Sequence, residues 1–311
     1  MNKKSKYIFN FIVAIIIAVY ALFNTDLTKD IKKNLASVSD AMKKMDTDLN
    51  SKYVNKNETL SVYFLDVGQA DSILIRLNGQ NMLIDAGNNE DGPLIVNYFK
   101  ELGIENFKYV VATHPHEDHI GGMDDIINNF NIDTFYMPDK ITTTKTFEDV
   151  LDALENKNMK YNTLNDGDKF NIDNANIEVI SGGFTNSDIN DSSIVLKLVY
   201  LNNSFLFTGD ATSNVESKLL DKDIKSDVLK VGHHGSKYST TDKFLDKVSP
   251  KYAIISVGKD NIYNHPSSNT ITKLENKGIK IYRTDTLGTI VLDSDGNSIN
   301  IKNINTNTNG D

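Results

Sequence analysis

Cysteine is absent from this chain of 311 residues, so a disulfide framework, a thiolate metal site and a cysteine nucleophile are all excluded. Basic residues are in deficit as well: 33 Lys and Arg stand against 42 Asp and Glu, a formal net charge of -9. That balance argues against a protein that coats nucleic acid or anionic lipid by bulk attraction, although a local basic groove is compatible with it. Strongly apolar runs are missing except at the N-terminus, and no internal repeat is visible. Histidine is scarce. There are six, and none lies between residues 120 and 209.

The one apolar run follows Lys3, Lys4 and Lys6 and extends from Tyr7 to Phe23, interrupted only by Asn10. A positive flank before about 17 apolar residues is the pattern of a signal anchor or export signal, at the short end for a membrane-crossing helix. A buried core helix is the plainer reading of the same run. With the lysines on the cytoplasmic side, the body of the protein is expected outside the cell, anchored in the membrane, or secreted if cleaved after Ala21. Residues 24–58 read as a polar linker or stalk. Ile31, Leu35, Val38, Met42, Met45 and Leu49 alternate spacings of four and three, which predicts a helix with a narrow apolar seam and weak self-association through residues 31–49.

From Thr59 the pattern changes to short β-branched runs between turn signals. Strands are predicted at Leu60 to Asp66, Ser72 to Leu77 and Asn81 to Asp85, with Asn78-Gly79 as a hairpin turn. Pro93 to Leu102 reads as a helix and Phe107 to Ala112 as a strand. Later strands are predicted at 177–180, 193–201, 204–208, 227–231, 252–257, 280–283 and 289–293. Helices fit at 123–130, 147–156, 213–220, 241–247 and 269–277. Strands interleaved with helices over about 240 residues suggest two packed sheets with helices outside them, a domain spanning 59–302 before a disordered tail at 303–311.

The chemistry concentrates in Thr113 to Gly122, THPHEDHIGG, on the loop after the 107–112 strand. Three histidines and an aspartate within six residues describe a nitrogen and oxygen metal site. His114 and His116 alternate and can turn toward one ion, Asp118 and His119 toward a second. Two ions a few ångströms apart can activate a water and clamp the oxygens of a displacement at phosphorus or carbon. Gly121 and Gly122 let the backbone turn into the next helix.

These residues resemble the first signature, HxHxDH, of the metallo-β-lactamase superfamily. The segments FLDVGQADSILI, LIDAG, NDSSIVLKL, FTGD, DVLKVGHHGS and NHPSS are similar to the extracellular metallo-hydrolase domain of the ComEC competence family and, less closely, to bacterial phosphorylcholine esterases of the same superfamily. The resemblance runs from about Leu60 to Ile301. It implies an α/β, four-layer αββα sandwich, here preceded by the N-terminal apolar helix, with one or two metal ions, usually zinc, at one edge of the sheets.

Carried over residue by residue, the resemblance makes His114 and His116 ligands of the first metal, Asp118 and His119 ligands of the second, and Asp210 the bridging carboxylate. Without the family, Thr208-Gly209-Asp210 is an ordinary turn. One of His233 and His234 supplies the late ligand. Strand alternation places His233 with Leu229 and Val231 and His234 with Lys230, which favours His233, the other facing substrate or backbone. Asp85 is expected behind the metal loop, orienting it. Asp66, Gln69 and Asp71 form a turn of strong subfamily character whose plainer reading is structural. His265 is placed for a general acid or a substrate-phosphate ligand, while Ser267 or Ser268 caps the next helix.

One departure stands out. Many superfamily members place a further histidine between the first loop and the bridging aspartate, where this chain has Asn190-Asp191-Ser192-Ser193. The first metal then has His114, His116, Asp210 and solvent, helped by Asp191 or a hydroxyl such as that of Ser193, so manganese is as acceptable as zinc. The expected function is a metallo-hydrolase cleaving a phosphodiester by attack of metal-bound hydroxide outside the cell, with Asp118, His234 and His265 at the chemistry. DNA, a phosphorylated wall polymer or a small ester are the candidate substrates. The alternative is a surface-tethered binding protein whose metal site is structural or vestigial.

Overall fold

The computed structural model describes residues 58–184 and 188–304. The expected anchor at 1–23, the seam at 31–49 and the tail beyond residue 304 lie outside the described residues. Among the described residues, no helix is long and apolar enough to cross a membrane.

Six strands open the domain: β1 (Leu60–Phe64), β2 (Ser72–Leu77), β3 (Gln80–Ala86), β4 (Asn106–Val111), β5 (Asn131–Tyr136) and β6 (Tyr161–Asn162). The first three pair antiparallel and the next three add in parallel. A second sheet follows from β7 (Lys169–Ile172), β8 (Ala175–Ser181), β9 (Val195–Tyr200), β10 (Asn203–Phe207), β11 (Val228–Lys230), β12 (Tyr252–Ile255) and β13 (Lys280–Arg283). The chain then returns to the first sheet through β14 (Thr289–Ser294) and β15 (Ile299–Ile304). The sheet orders are β15-β14-β1-β2-β3-β4-β5-β6 and β13-β12-β11-β10-β9-β8-β7.

Alternation along the strands builds the layers, because successive side chains leave opposite faces. Phe64, Ile73, Ile75, Met82 and Ile84 of the first sheet meet Leu196, Leu198, Tyr200, Phe205 and Phe207 of the second in one buried cluster. Phe64 and Phe207 face each other at 6.3 Å between ring centroids. The outer face of the first sheet, with Leu74 and Leu83, packs on α1 (Gly92–Glu101), α3 (Met123–Asn129) and α4 (Lys145–Asn156), with the short α2 (Glu117–Ile120) carrying the metal loop. The outer face of the second sheet, with Leu206, Leu229 and Ala253, packs on α5 (Ser213–Leu219), α6 (Asp242–Val248) and α7 (Ser268–Asn276). A last turn, α8 (Thr284–Leu287), leads into β14. The order helix, sheet, sheet, helix is the expected sandwich.

Differences from the sequence reading are local. β5, β6, β7 and β15 were not anticipated, and Asn303 and Ile304 belong to β15, paired with Ile290 and Thr289, instead of to a disordered tail. Gly121 and Gly122 have ordinary negative φ values of -57° and -90°. Their glycine character comes from close packing: a Cβ on Gly121 would stand 2.1 Å from the Asn88 carbonyl carbon, and one on Gly122 2.5 Å from the Ala86 oxygen.

Candidate metal centre

The site lies where the C-terminal ends of β3, β4, β10 and β11 meet. Asp85 occupies the left-handed region at φ 59°, one residue before the end of β3. Its buried carboxylate accepts the Thr113 N–H and the Thr113 hydroxyl, both at 2.7 Å, and faces His119 Nδ1 at 2.7 Å. This fixes the His119 proton on Nδ1 and turns Nε2 inward. Thr113 Oγ1 also lies 3.2 Å from His114 Nδ1. With its own proton on Asp85 it accepts from His114, whose Nε2 is thereby free. One aspartate thus sets two imidazoles, as a carboxylate behind metal-binding histidines does. Asp85 is placed as the resemblance implied; Thr113, the relay, was not singled out, and its position just before the motif was the available signal.

Asp210 follows β10 through Gly209, whose φ is 49°, and its N–H donates to Ser193 Oγ at 3.1 Å. His233 and His234 have φ values of 50° and 51° in the turn after β11. The strand stops at Lys230, so the alternation argument that favoured His233 does not reach these residues. His234 is the one gathered with Asp118, His119 and Asp210. Its Nδ1 donates to the Ser256 carbonyl at 2.9 Å, leaving Nε2 to face the group. His233 Nε2 stands 3.7 Å from the other Asp210 oxygen, and its ring meets His265 edge-on at 5.5 Å.

A divalent ion fits the four groups. The separations are 3.2 Å for Asp118 Oδ2 to His234 Nε2, 3.3 Å for His119 Nε2 to Asp210 Oδ1, 3.6 Å for His234 Nε2 to Asp210 Oδ1 and 3.9 Å for His119 Nε2 to Asp118 Oδ2. Nitrogen and oxygen ligands about 2.0–2.2 Å from a tetrahedral ion stand roughly 3.3–3.6 Å apart. His119 Nε2, Asp210 Oδ1 and His234 Nε2 are moreover buried without a hydrogen-bond partner, a costly arrangement unless a cation joins them. His114 Nε2 and His116 Nδ1 converge separately at 3.0 Å. They form the poorer half: Asp191, expected to help there, instead accepts from Thr212 and Asn214 at the start of α5.

The electrostatics agree. Burial alone would lower the His119 imidazole, yet Asp210, Asp85 and Asp118 together hold it well above its ordinary value. His234 is raised in the same way against burial, chiefly by Asp210. Burial pushes Asp210 upward, but His234, His119 and His233 carry it well below the usual carboxylate range. Asp118 is lowered too, His119 and His234 outweighing burial. His114 goes the other way, lowered by burial and then by His119. These carboxylates need positive charge among them, and a metal ion supplies it in place of protons.

The centre forms the floor of an open cavity of about 700 Å³ lined also by Asp66, Gln69, Glu90, Asp91, Glu117, Tyr263 and His265. Gln69 accepts the Gly258 N–H, and the Asp66 N–H donates to Thr289, so that turn is held in place while bordering the cavity. The Asp66 carboxyl is raised, mainly by burial. His265 is pulled down to about 4 by burial, then by His233 and His234. At neutral pH it is therefore an uncharged imidazole, which does not suit the general-acid role; its N–H remains a donor.

The fold and the centre together define the class: residues 65–259 match the metallo-beta-lactamase superfamily, and the chain belongs to it. Within that superfamily it is 30% identical over 250 residues to ComE operon protein 3 of Bacillus subtilis, covering 74% of this chain and 32% of that protein. It is also 30% identical over 247 residues to competence protein ComA of Neisseria gonorrhoeae, covering 76% and 32%. Recombination protein 2 of Haemophilus influenzae is 31% identical over 224 residues, covering 70% and 26%. The ComEC-type relationship read from the motifs is thus established, and the chain spans about a third of the length of these curated relatives. Among solved structures, the metallo-beta-lactamase fold protein YhfI of Bacillus subtilis superposes with a TM-score of 0.54 at 9% identity over 76% of this chain and 100% of that one. A mutant of the CmlA beta-hydroxylase gives a TM-score of 0.51 at 12% identity, covering 78% and 55%. At these identities the likeness concerns the fold alone.

Proposed function

We propose that this protein is a metal-dependent phosphodiesterase that acts on compact phosphodiesters at the outer side of the membrane. The observation that carries the reading is the convergence of three buried, unpartnered ligand atoms, on His119, Asp210 and His234, with Asp118 at the floor of an open cavity. Asp118, His119, Asp210 and His234 would hold one zinc or manganese ion, and His114, His116 and Asp210 the other. Such ions, when bound, lower the pKa of water and draw charge from phosphoryl oxygens.

The chain's own groups do the rest. Asp85, directly for His119 and through Thr113 for His114, holds the Nδ1 proton of each imidazole, so that the inward Nε2 atoms are the ones left to bind an ion. His233 and His265 form one wall, where neutral imidazole N–H groups donate to a phosphoryl oxygen or to the departing alkoxide. Tyr263, stacked on His265 with ring centroids 5.8 Å apart, gives that wall an aromatic edge. The rim supports a small substrate: Asp66, Glu90, Asp91 and Glu117 surround the mouth, and none of the lining residues is lysine or arginine. An acidic mouth repels a polyanion more than a singly charged ester. The location outside the membrane rests on the lysine-flanked run Tyr7 to Phe23.

The test is hydrolysis of bis-p-nitrophenyl phosphate by the full chain loaded with Zn2+ or Mn2+, beside a phosphorylcholine ester, a cyclic dinucleotide and plasmid DNA. Turnover of the small diesters, lost in Asp118→Ala and His116→Ala while the fold survives, supports the reading. A protein that retains two ions and cleaves none of these substrates would sink it, and plasmid nicking without small-ester turnover would move the substrate to DNA.

A further inference from the structure

The ligand set is divided between the two sheets. Asp118 and His119 follow β4 of the first sheet, whereas Asp210 and His234 follow β10 and β11 of the second. Something must hold these halves at metal-binding distance, because an error of about 1 Å at such a site is enough to impair it. Directly behind the ligands, Lys230 of β11 and Asp71, just before β2, form an ion pair at 2.7 Å, with side-chain exposures of 0% and 1%. Every other lysine or arginine pair among the described residues keeps at least one side chain in contact with solvent. Lys230 shares the strand face of Val228, which points between the sheets, so its ammonium crosses from one sheet to the other.

Each end of the pair is attached to ligands. The Asp71 N–H donates to the Asp118 carbonyl at 3.0 Å, and its carbonyl accepts from Gly87 N–H at 2.8 Å, two residues after Asp85. The Asp71 carboxylate lies 3.7 Å from His234 Nδ1 and 4.0 Å from His119 Nδ1. Lys230 Nζ also donates to the Val231 carbonyl at 3.1 Å, and the Lys230 carbonyl accepts the Thr208 hydroxyl at 2.8 Å, two residues before Asp210. Asp71, Asp85 and His119 form a second group with a metal-like arrangement behind the first. The Lys230 ammonium supplies the positive charge that this inner group requires.

We propose that the Lys230–Asp71 pair is a positioning clasp for the metal centre, fixing the ligand halves of the two sheets against each other and keeping a cation other than the metal behind them. Buried ion pairs contribute little net stability compared with apolar residues of the same volume, so packing alone gives weak reason for a lysine here. The proposal concerns the metal centre and does not depend on which ester is cleaved.

The test uses the full chain and Zn2+ alone, with affinity measured by competition against a chromophoric chelator at a temperature where each variant is folded. Lys230→Met is expected to weaken the tighter Zn2+ site by about 10- to 100-fold, the usual effect of losing a group behind the ligands. The double variant Lys230→Met with Asp71→Asn removes both charges. It is expected to recover the thermal midpoint lost in Lys230→Met without recovering Zn2+ affinity, a split that a merely structural pair would not produce. Wild-type Zn2+ affinity in the folded double variant would overturn the clasp, and it decides the matter even if Lys230→Met fails to fold. Wild-type protein that binds no Zn2+ would overturn the metal centre itself, a distinguishable failure.

Discussion

Asp85 combines a backbone requirement with a chemical one. At φ 59° it needs a residue that tolerates the left-handed region, and its carboxylate must accept from Thr113 and His119 together. Asp85→Asn keeps the first property and alters the second, since the amide presents a donor where His119 Nδ1 also donates. Zn2+ affinity is expected to drop about 10- to 100-fold with the fold intact, by chelator competition; unchanged affinity would show that Asp85 does not set the tautomer. His265 gives a pH prediction. Its folded-state value of about 4 lies below the ordinary 6.5, so as pH falls the unfolded chain takes up the proton first. Its contribution to stability is intact above pH 6.5 and is lost progressively toward pH 4. His265→Gln should accordingly flatten the fall in urea midpoint between pH 7 and pH 5 in metal-free protein, and should lower kcat without moving any activity limb above pH 6. A limb near pH 7 that vanishes in the variant would contradict the neutral imidazole. Much of this residue-level layout was legible because the ligands cluster in short motifs. The choice between His233 and His234 was not, because it turns on where β11 ends, and two consecutive left-handed residues leave no periodic trace in sequence.

Elements with a clear period were the easy ones. Val195, Leu196 and Leu198 in β9, or Phe205 to Phe207 in β10, are apolar runs of strand length, and both faces of those strands are covered. The strands that escaped are polar and lie toward the sheet edges. β5 reads Asn-Ile-Asp-Thr-Phe-Tyr with one fully buried side chain, and β15 has none. Their strand character comes from a neighbour's backbone, which no local pattern records. Glu216 shows a similar long-range term between helices. From α5 it accepts the N–H groups of Thr240 and Thr241, and Thr241 in turn caps α6. Glu216→Ala leaves the buried Thr240 N–H and the half-buried Thr241 N–H without their partner and is expected to cost about 1–3 kcal/mol, most of it from Thr240, read from urea unfolding. A change below about 0.5 kcal/mol would mean that water replaces the carboxylate.

For the whole molecule, an ion held by ligands from both sheets ties the two halves of the sandwich together, so metal and fold should be thermodynamically linked. Free Zn2+ at 100 times its dissociation constant is expected to raise the unfolding free energy by about 2.7 kcal/mol, provided the unfolded chain does not bind it. The check is denaturant unfolding with Zn2+ and with excess chelator. Equal midpoints would show that the ligands do not close on an ion in the folded state. The fold class was legible in the sequence because the strand and helix runs alternate cleanly, whereas the crossing between sheets by Lys230 was not, since the residues that meet there are 159 positions apart (230 minus 71). The pairing of the first strand with the penultimate one has a consequence of another kind. Leu60 stands opposite Ser294 and Ile304 opposite Thr289, so the chain enters this domain at one end of β14 and leaves it at the other, within three adjacent strands of one sheet. Both ends thus belong to the same layer, and the second sheet is left free of chain ends, so either flank can lengthen without threading that sheet.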